Sequence, residues 1–238
     1  CVAKPIPASQ CLCDDLSLFL EEKISTIMRD FCSPTTKLAL LKSQDEVSSA
    51  PILDTFAPLN GEVFRHLANS IPSGSPSDPL LPRIWNTLLP LENDALINIC
   101  NLSLSCRTVP SQWKEAGVVP LLKKTFADPA VLGSYRPISL LPFSIKILEK
   151  HVNNLLSTHL EVNSLLDARQ SGFQPAHGTE SALVAVLDDL RMAADQGQFV
   201  AIILLDLSAA FDIVNQEILL ARLPECGLQG TSLAWCKS

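Results

Sequence analysis

The sequence predicts a helix-rich α/β fold, and three observations carry that expectation. Apolar residues recur at helical spacing in several separate stretches, most clearly over 14–31, 145–160 and 183–190. One run, Phe199 to Leu205, is apolar throughout, contains β-branched residues and is only seven residues long, which fits a buried strand better than a helix. Seventeen prolines cut the 238 residues into short elements, while a hydrophobic content of 47% is ample for a core.

Taken in order, the first element is a helix: Leu16, Phe19, Leu20, Ile24, Ile27, Met28 and Phe31 form one stripe, read as core or partner surface. Residues 33–59 are rich in Ser, Thr and Pro and weakly patterned, so they read as a linker. Asn60 is a candidate cap for a short helix through Ile71. The prolines, glycine and serines of "IPSGSPSDPLLP" (71–82) mark a loop. A helix is expected over about 90–105, with Leu91, Ala95, Leu96, Ile99 and Leu102 on one face. "AGVVPLLKK" (116–124) reads as a strand broken by Pro120 and closed by two lysines.

"SYRPISLLP" cannot be helical at its prolines and reads as an extended, docked loop. Ile145, Leu148, Val152, Leu155, Leu156 and Leu160 then define a strong helix. After the loop "RQSGFQPAHGTE", Leu183, Val186, Leu187 and Leu190 define another, ended by Gly197. Its Asp188 and Asp189 are adjacent on a helix, so they diverge and face water. Val200–Leu205 is expected as a central strand between this helix and one starting at Gln216.

Composition excludes several function classes. A net charge of −7 argues against a uniformly basic nucleic-acid binder. From Arg107 to Lys150, however, seven basic residues face three acids, a local +4 able to form a phosphate-facing surface. No apolar run approaches the roughly 18 residues of a membrane span, and no signal peptide is evident. Eight scattered cysteines form no CxxC pair and no zinc spacing, so they read as reduced thiols of an intracellular, cytoplasmic or nuclear, non-secreted protein. Cys1 in the place of a methionine points to a fragment of a longer product.

The run Ile202–Leu205 leads straight into Asp206, with Asp212 six positions later. A carboxylate at the tip of a buried strand is a solvated strand end, a structural group, or a metal ligand held rigidly at a cleft.

Three phrases occur in a familiar order: "SYRPISLLPFSIKILEK", "QSGFQPAHGTESAL" and "ILLDLSAAFDIVNQEILLARL". With "SPSDPLLPRIW" and "VPSQWKEAGVVPLLKK" ahead of them, residues 55–238 resemble the reverse transcriptase of non-LTR (LINE-type, jockey-like) retrotransposons. The resemblance implies a right-hand polymerase, with fingers around 115–195 and the beginning of a palm at 198. It divides the chain into an N-terminal helix and linker (1–54), a helical segment preceding the polymerase motifs (55–114), and incomplete fingers and palm (115–238). The implied activity is RNA-directed DNA synthesis from an RNA template, a DNA primer and deoxynucleotides, with Mg²⁺ as cofactor and no membrane partner.

By the same resemblance Asp206 is the first catalytic and metal-binding aspartate, with the Leu207 backbone carbonyl beside it. Phe211 matches the residue that packs on the sugar of the incoming nucleotide and disfavours a 2′-hydroxyl. Arg136 and Lys146 fall on basic positions that hold template or triphosphate oxygens, and Asp212 is a structural acid.

Two departures qualify this. Where the family phrase reads "GFRPGHST", this chain has Gln174 for the arginine and Ala176 for a glycine, a strained choice if that position needs positive φ. The family's second aspartate pair, "ADD", occurs nowhere in the chain, which stops 32 residues after Asp206. The expectation is therefore a reverse transcriptase domain inactive as this chain; the alternative is a non-catalytic remnant with weak RNA binding.

Overall fold

The structure, a computed structural model, describes residues 10–31, 51–71, 78, 95–206, 210–211 and 214–238. Helix α1, Gln10–Phe31, follows the first apolar stripe, and Leu16 is its buried anchor. Helix α2 is Gly61–Asn69, capped as expected by Asn60, whose side-chain oxygen accepts from the Val63 amide at 2.8 Å. Helix α3 covers 95–106 and buries Ile97, Cys100, Ser103 and Leu104.

Strands β1 (Gly117–Leu122) and β2 (Tyr135–Leu140) pair antiparallel, from Gly117 opposite Leu140 to Leu122 opposite Tyr135. Two sequence expectations are corrected here. Pro120 does not break β1, and "YRPISL" (135–140), expected within a docked loop, is a strand. The register explains both, because Pro120 sits directly opposite Pro137. Neither ring can donate a hydrogen bond, so both occupy a pair that exchanges none, with their nitrogens facing away from the partner strand.

Helix α4, Phe143–Val162, is the centre of the core, burying Phe143, Ile145, Ile147, Leu148, His151 and Val152. Its first amide is satisfied from a distance: Phe143 N donates to the Asp78 carboxylate at 3.0 Å. Around α4 one hydrophobic cluster gathers Phe56, Leu59, Phe64, Leu67, Ala68, Ile97, Cys100 and Leu104.

Residues 51–59, expected as linker, belong to this core. Phe56 and Leu59 are buried, and Asn101 on α3 grips Leu59 through both its amide (2.7 Å) and its carbonyl (2.9 Å). After α6 (Gln216–Arg222), the same segment straps the turn at Gly227 and helix α7 (Gly230–Cys236). Leu53 N donates to Gly227 O at 2.8 Å, Ser232 N donates to Asp54 O at 2.9 Å, and Trp235 meets Phe56 edge-to-face at 5.8 Å. The pattern was hidden because prolines and polar residues separate its anchors, leaving neither the helical nor the strand period.

Helix α5, Thr179–Asp195, ends at Gly197 with φ of 70°, as its sequence predicts, but none of its residues is buried. The run after it departs further from expectation. Residues 200–205 form no strand; they are unladdered, and Ile203, Leu204 and Leu205 are all more than 80% exposed. A strand needs a neighbour for its amides and carbonyls as well as an apolar sequence, and β1–β2 is the one sheet among the described residues.

Candidate functional site

A cleft of about 530 Å³ lies between α1, the β1–β2 hairpin and the segment that carries Asp206. Its walls bring Asp206, Phe211 and Arg136 together with Lys123 and Lys23. On β2, Tyr135 is buried, its hydroxyl donating to Pro129 O at 3.0 Å, and the neighbouring Arg136 is exposed; both line the cleft. Lys123 directly follows β1 and is tethered across the loop, its Nζ donating to Gly133 O at 2.7 Å. Lys23 comes from α1, whose Phe19, Leu20 and Ile24 complete the wall.

Lys146 is not among the cleft's lining residues; it stands on the second turn of α4, near Glu149. Leu207 and Asp212 lie outside the described residues. Sequence reasoning missed Lys23, a lone lysine flanking an apolar stripe, with no spacing that marks it as a ligand-facing cation.

Three cations and one carboxylate make the cleft suited to phosphate oxygens, with arginine able to present two donors in one plane. A divalent ion fits less well. Mg²⁺ needs near-octahedral hard oxygens, and Asp206 is the one carboxylate of the cleft lining. Among the described residues no group of three or more His, Cys, Asp or Glu side chains converges. The described residues by themselves therefore do not make a magnesium cage, and any further ligands lie outside them.

Beside the cleft, the turn "SGFQPAHG" (171–178) presents Phe173, which meets Phe211 edge-to-face with centroids 5.7 Å apart. Phe173 and Ala176 have φ of 61° and 58°. The expected strain at Ala176 is thus present, since a Cβ is disfavoured in this region. His177 is an exposed loop residue whose Nδ1 donates to Pro175 O at 2.9 Å. No helix among the described residues is long and apolar enough to cross a membrane.

Residues 121–238 match the family model for reverse transcriptase (RNA-dependent DNA polymerase). The chain is 32% identical over 155 residues to the RNA-directed DNA polymerase from mobile element jockey of Drosophila melanogaster, a match covering 64% of this chain and 17% of that protein. It is 30% identical over 131 residues to a probable RNA-directed DNA polymerase from transposon X-element of the same organism, covering 54% of this chain and 14% of the relative. The Pol polyprotein from the type-1 retrotransposable element R2 of Nasonia vitripennis is 24% identical over 206 residues, 85% of this chain and 18% of that protein. The matched region thus spans 14% to 18% of the length of these curated relatives.

Proposed function

We propose that this chain, whose residues 121–238 match the reverse transcriptase family model, is part of an RNA-directed DNA polymerase of a non-LTR retrotransposon, with fingers around 115–195 and the beginning of the palm from 198. The observation that carries the proposal is that Arg136, far away in sequence, lines the same cleft as Asp206 and Phe211. Its substrates are an RNA template, a DNA primer and deoxynucleoside triphosphates.

In this reading Arg136 holds phosphate oxygens, with Lys123 beside it, and Lys146 adds positive charge from α4 outside the cleft wall. Phe211 stands against the sugar and disfavours a 2′-hydroxyl by sterics. Asp206, with the Leu207 carbonyl, is the metal-binding position at the end of the apolar run. Enzymes of this family generally use a divalent metal, which neutralises charge at the transferring phosphoryl group. The segment 55–114 supports the polymerase motifs through the shared core, and the cysteine pattern fits an intracellular setting.

The single carboxylate of the cleft favours a second reading for this chain by itself: weak RNA binding without synthesis. One experiment separates the two. The 155 matched residues are grafted into the jockey polymerase, and primer extension is compared with and without Asp206→Asn. Loss of extension on that change supports the assignment, and extension that survives it removes Asp206 from the mechanism. The 238-residue chain alone is expected to extend no primer; extension that it does support, lost on Asp206→Asn, refutes the second reading.

A further inference from the structure

We propose that Phe173 is a positioning residue for Phe211, fixing where that ring stands beside the sugar of a bound nucleotide. This rests on the assignment of Phe211 to the nucleotide cleft and extends it to a residue from a separate loop.

The argument begins with unfavourable features concentrated in one turn. Phe173 adopts φ of 61°, a region in which a bulky side chain is an outlier, and Ala176 adopts 58° three residues on. Between them, Gln174 holds its amide nitrogen buried without a hydrogen-bond partner. Phe173 itself is 92% exposed, so its unusual backbone is not offset by burial. Strain gathered in this way marks a segment held in place for a purpose beyond local stability.

The contact that the turn delivers is the ring of Phe173 against the ring of Phe211, at 5.7 Å and 83°. Phe211 lines the cleft with Asp206 and Arg136, yet is 77% exposed. Two rings brought together only to escape water would be covered; these are not. An edge-to-face partner does something else: it limits the rotamers of Phe211 and so sets the gap left for a 2′ substituent. A residue that excludes a hydroxyl by sterics discriminates only as well as its position is fixed.

The test uses the 238-residue chain and two probes, dATP and ATP, with dissociation constants measured by titration. The parent is expected to bind dATP more tightly than ATP. Phe173→Leu keeps apolar bulk but loses the ring edge, and should lower the ATP-to-dATP ratio of dissociation constants by about two- to tenfold, the range an aromatic pair supplies. It should leave dATP affinity within about twofold, a split that general loosening of the turn would not produce. Phe173→Tyr should restore the ratio, and Phe173→Leu should have no further effect in a Phe211→Leu background.

If Phe211→Leu lowers the ratio and Phe173→Leu does not, the positioning role is overturned and the assignment of Phe211 stands. A parent ratio of one, a ratio unmoved by either change, or no saturable binding of either nucleotide overturns the assignment of Phe211 and this inference with it.

Discussion

Replacing Arg136 by alanine should change how RNA retention depends on salt, by an amount that follows from the cleft. Three cations line it: Lys23, Lys123 and Arg136. If each neutralises one phosphate of a single strand, the slope of log affinity against log salt is about −0.7 per contact, or about −2.1 in all. Between 50 and 200 mM salt the parent would then lose about 18-fold in affinity, and Arg136→Ala, with a slope of about −1.4, about 7-fold. The net charge of −7 opposes binding at every salt concentration, so the slope is the informative quantity rather than the absolute affinity. Filter retention of a labelled single-stranded RNA across a potassium chloride series measures it. Lys146→Ala serves as the comparison, since Lys146 is not part of the cleft wall. The reasoning is refuted if Arg136→Ala leaves the slope at the parent value, or if Lys146→Ala reduces it equally.

Further predictions concern stability and reactivity. Gly227 has φ of 86°, and a Cβ there would collide with the Pro51 carbonyl oxygen, so Gly227→Ala should cost at least about 2 kcal/mol in urea unfolding and release the 51–54 strap. Ala176→Gly should instead stabilise by about 0.5–1 kcal/mol, because the exposed turn already holds positive φ; a loss of stability would refute the strain argument. Cys100 is fully buried and its thiol is pushed up to about 12 by desolvation, so at pH 8 iodoacetamide should label exposed Cys13 and Cys106 while Cys100 stays unmodified until the chain unfolds, as read by mass spectrometry. Leu204→Lys, placed in the exposed apolar run, should reduce binding of a hydrophobic dye and aggregation without lowering the unfolding midpoint.

Much of the fold was legible because helices advertise themselves locally. The stripe of α4, the Asn60 cap and the Gly197 stop each depend on neighbours within a turn or two, and each is where its sequence puts it. The failures share one physical cause, dependence on partners distant in sequence. The strap 51–59 is defined by residues 226–232 and Asn101, the tolerance of Pro120 by Pro137, and the fate of 200–205 by the absence of any strand beside it among the described residues. The candidate site shows the same division. Asp206, Phe211 and Arg136 were singled out from short phrases, but their sharing a cleft, the exclusion of Lys146 from it and the arrival of Lys23 from α1 are tertiary facts that no local pattern contains.

Burial and function also separate along the chain in a way that bears on activity. The core is built from 51–69, α3, α4 and α7, whereas α5 has no buried residue and the approach to Asp206 is exposed. Placing a reactive group requires side chains locked by packing around it, and the segment that presents Asp206 has none of the core beneath it. The apolar character of 199–205 nevertheless belongs to a segment meant to be covered, since Phe199 and Ile202–Leu205 all face water at a hydrophobic cost of about 25 cal/mol for each Å² left uncovered. Covering that run would do two things together: offset its exposure and hold the Asp206 carboxylate still. On this argument the cationic wall of the cleft, which rests on the paired strands β1 and β2, is already formed, while the carboxylate side becomes rigid only when the run gains a neighbour. On the proposed function, nucleic-acid binding and synthesis should therefore be separable, with Arg136 contributing to the first alongside Lys23 and Lys123 and the covering of 199–205 limiting the second.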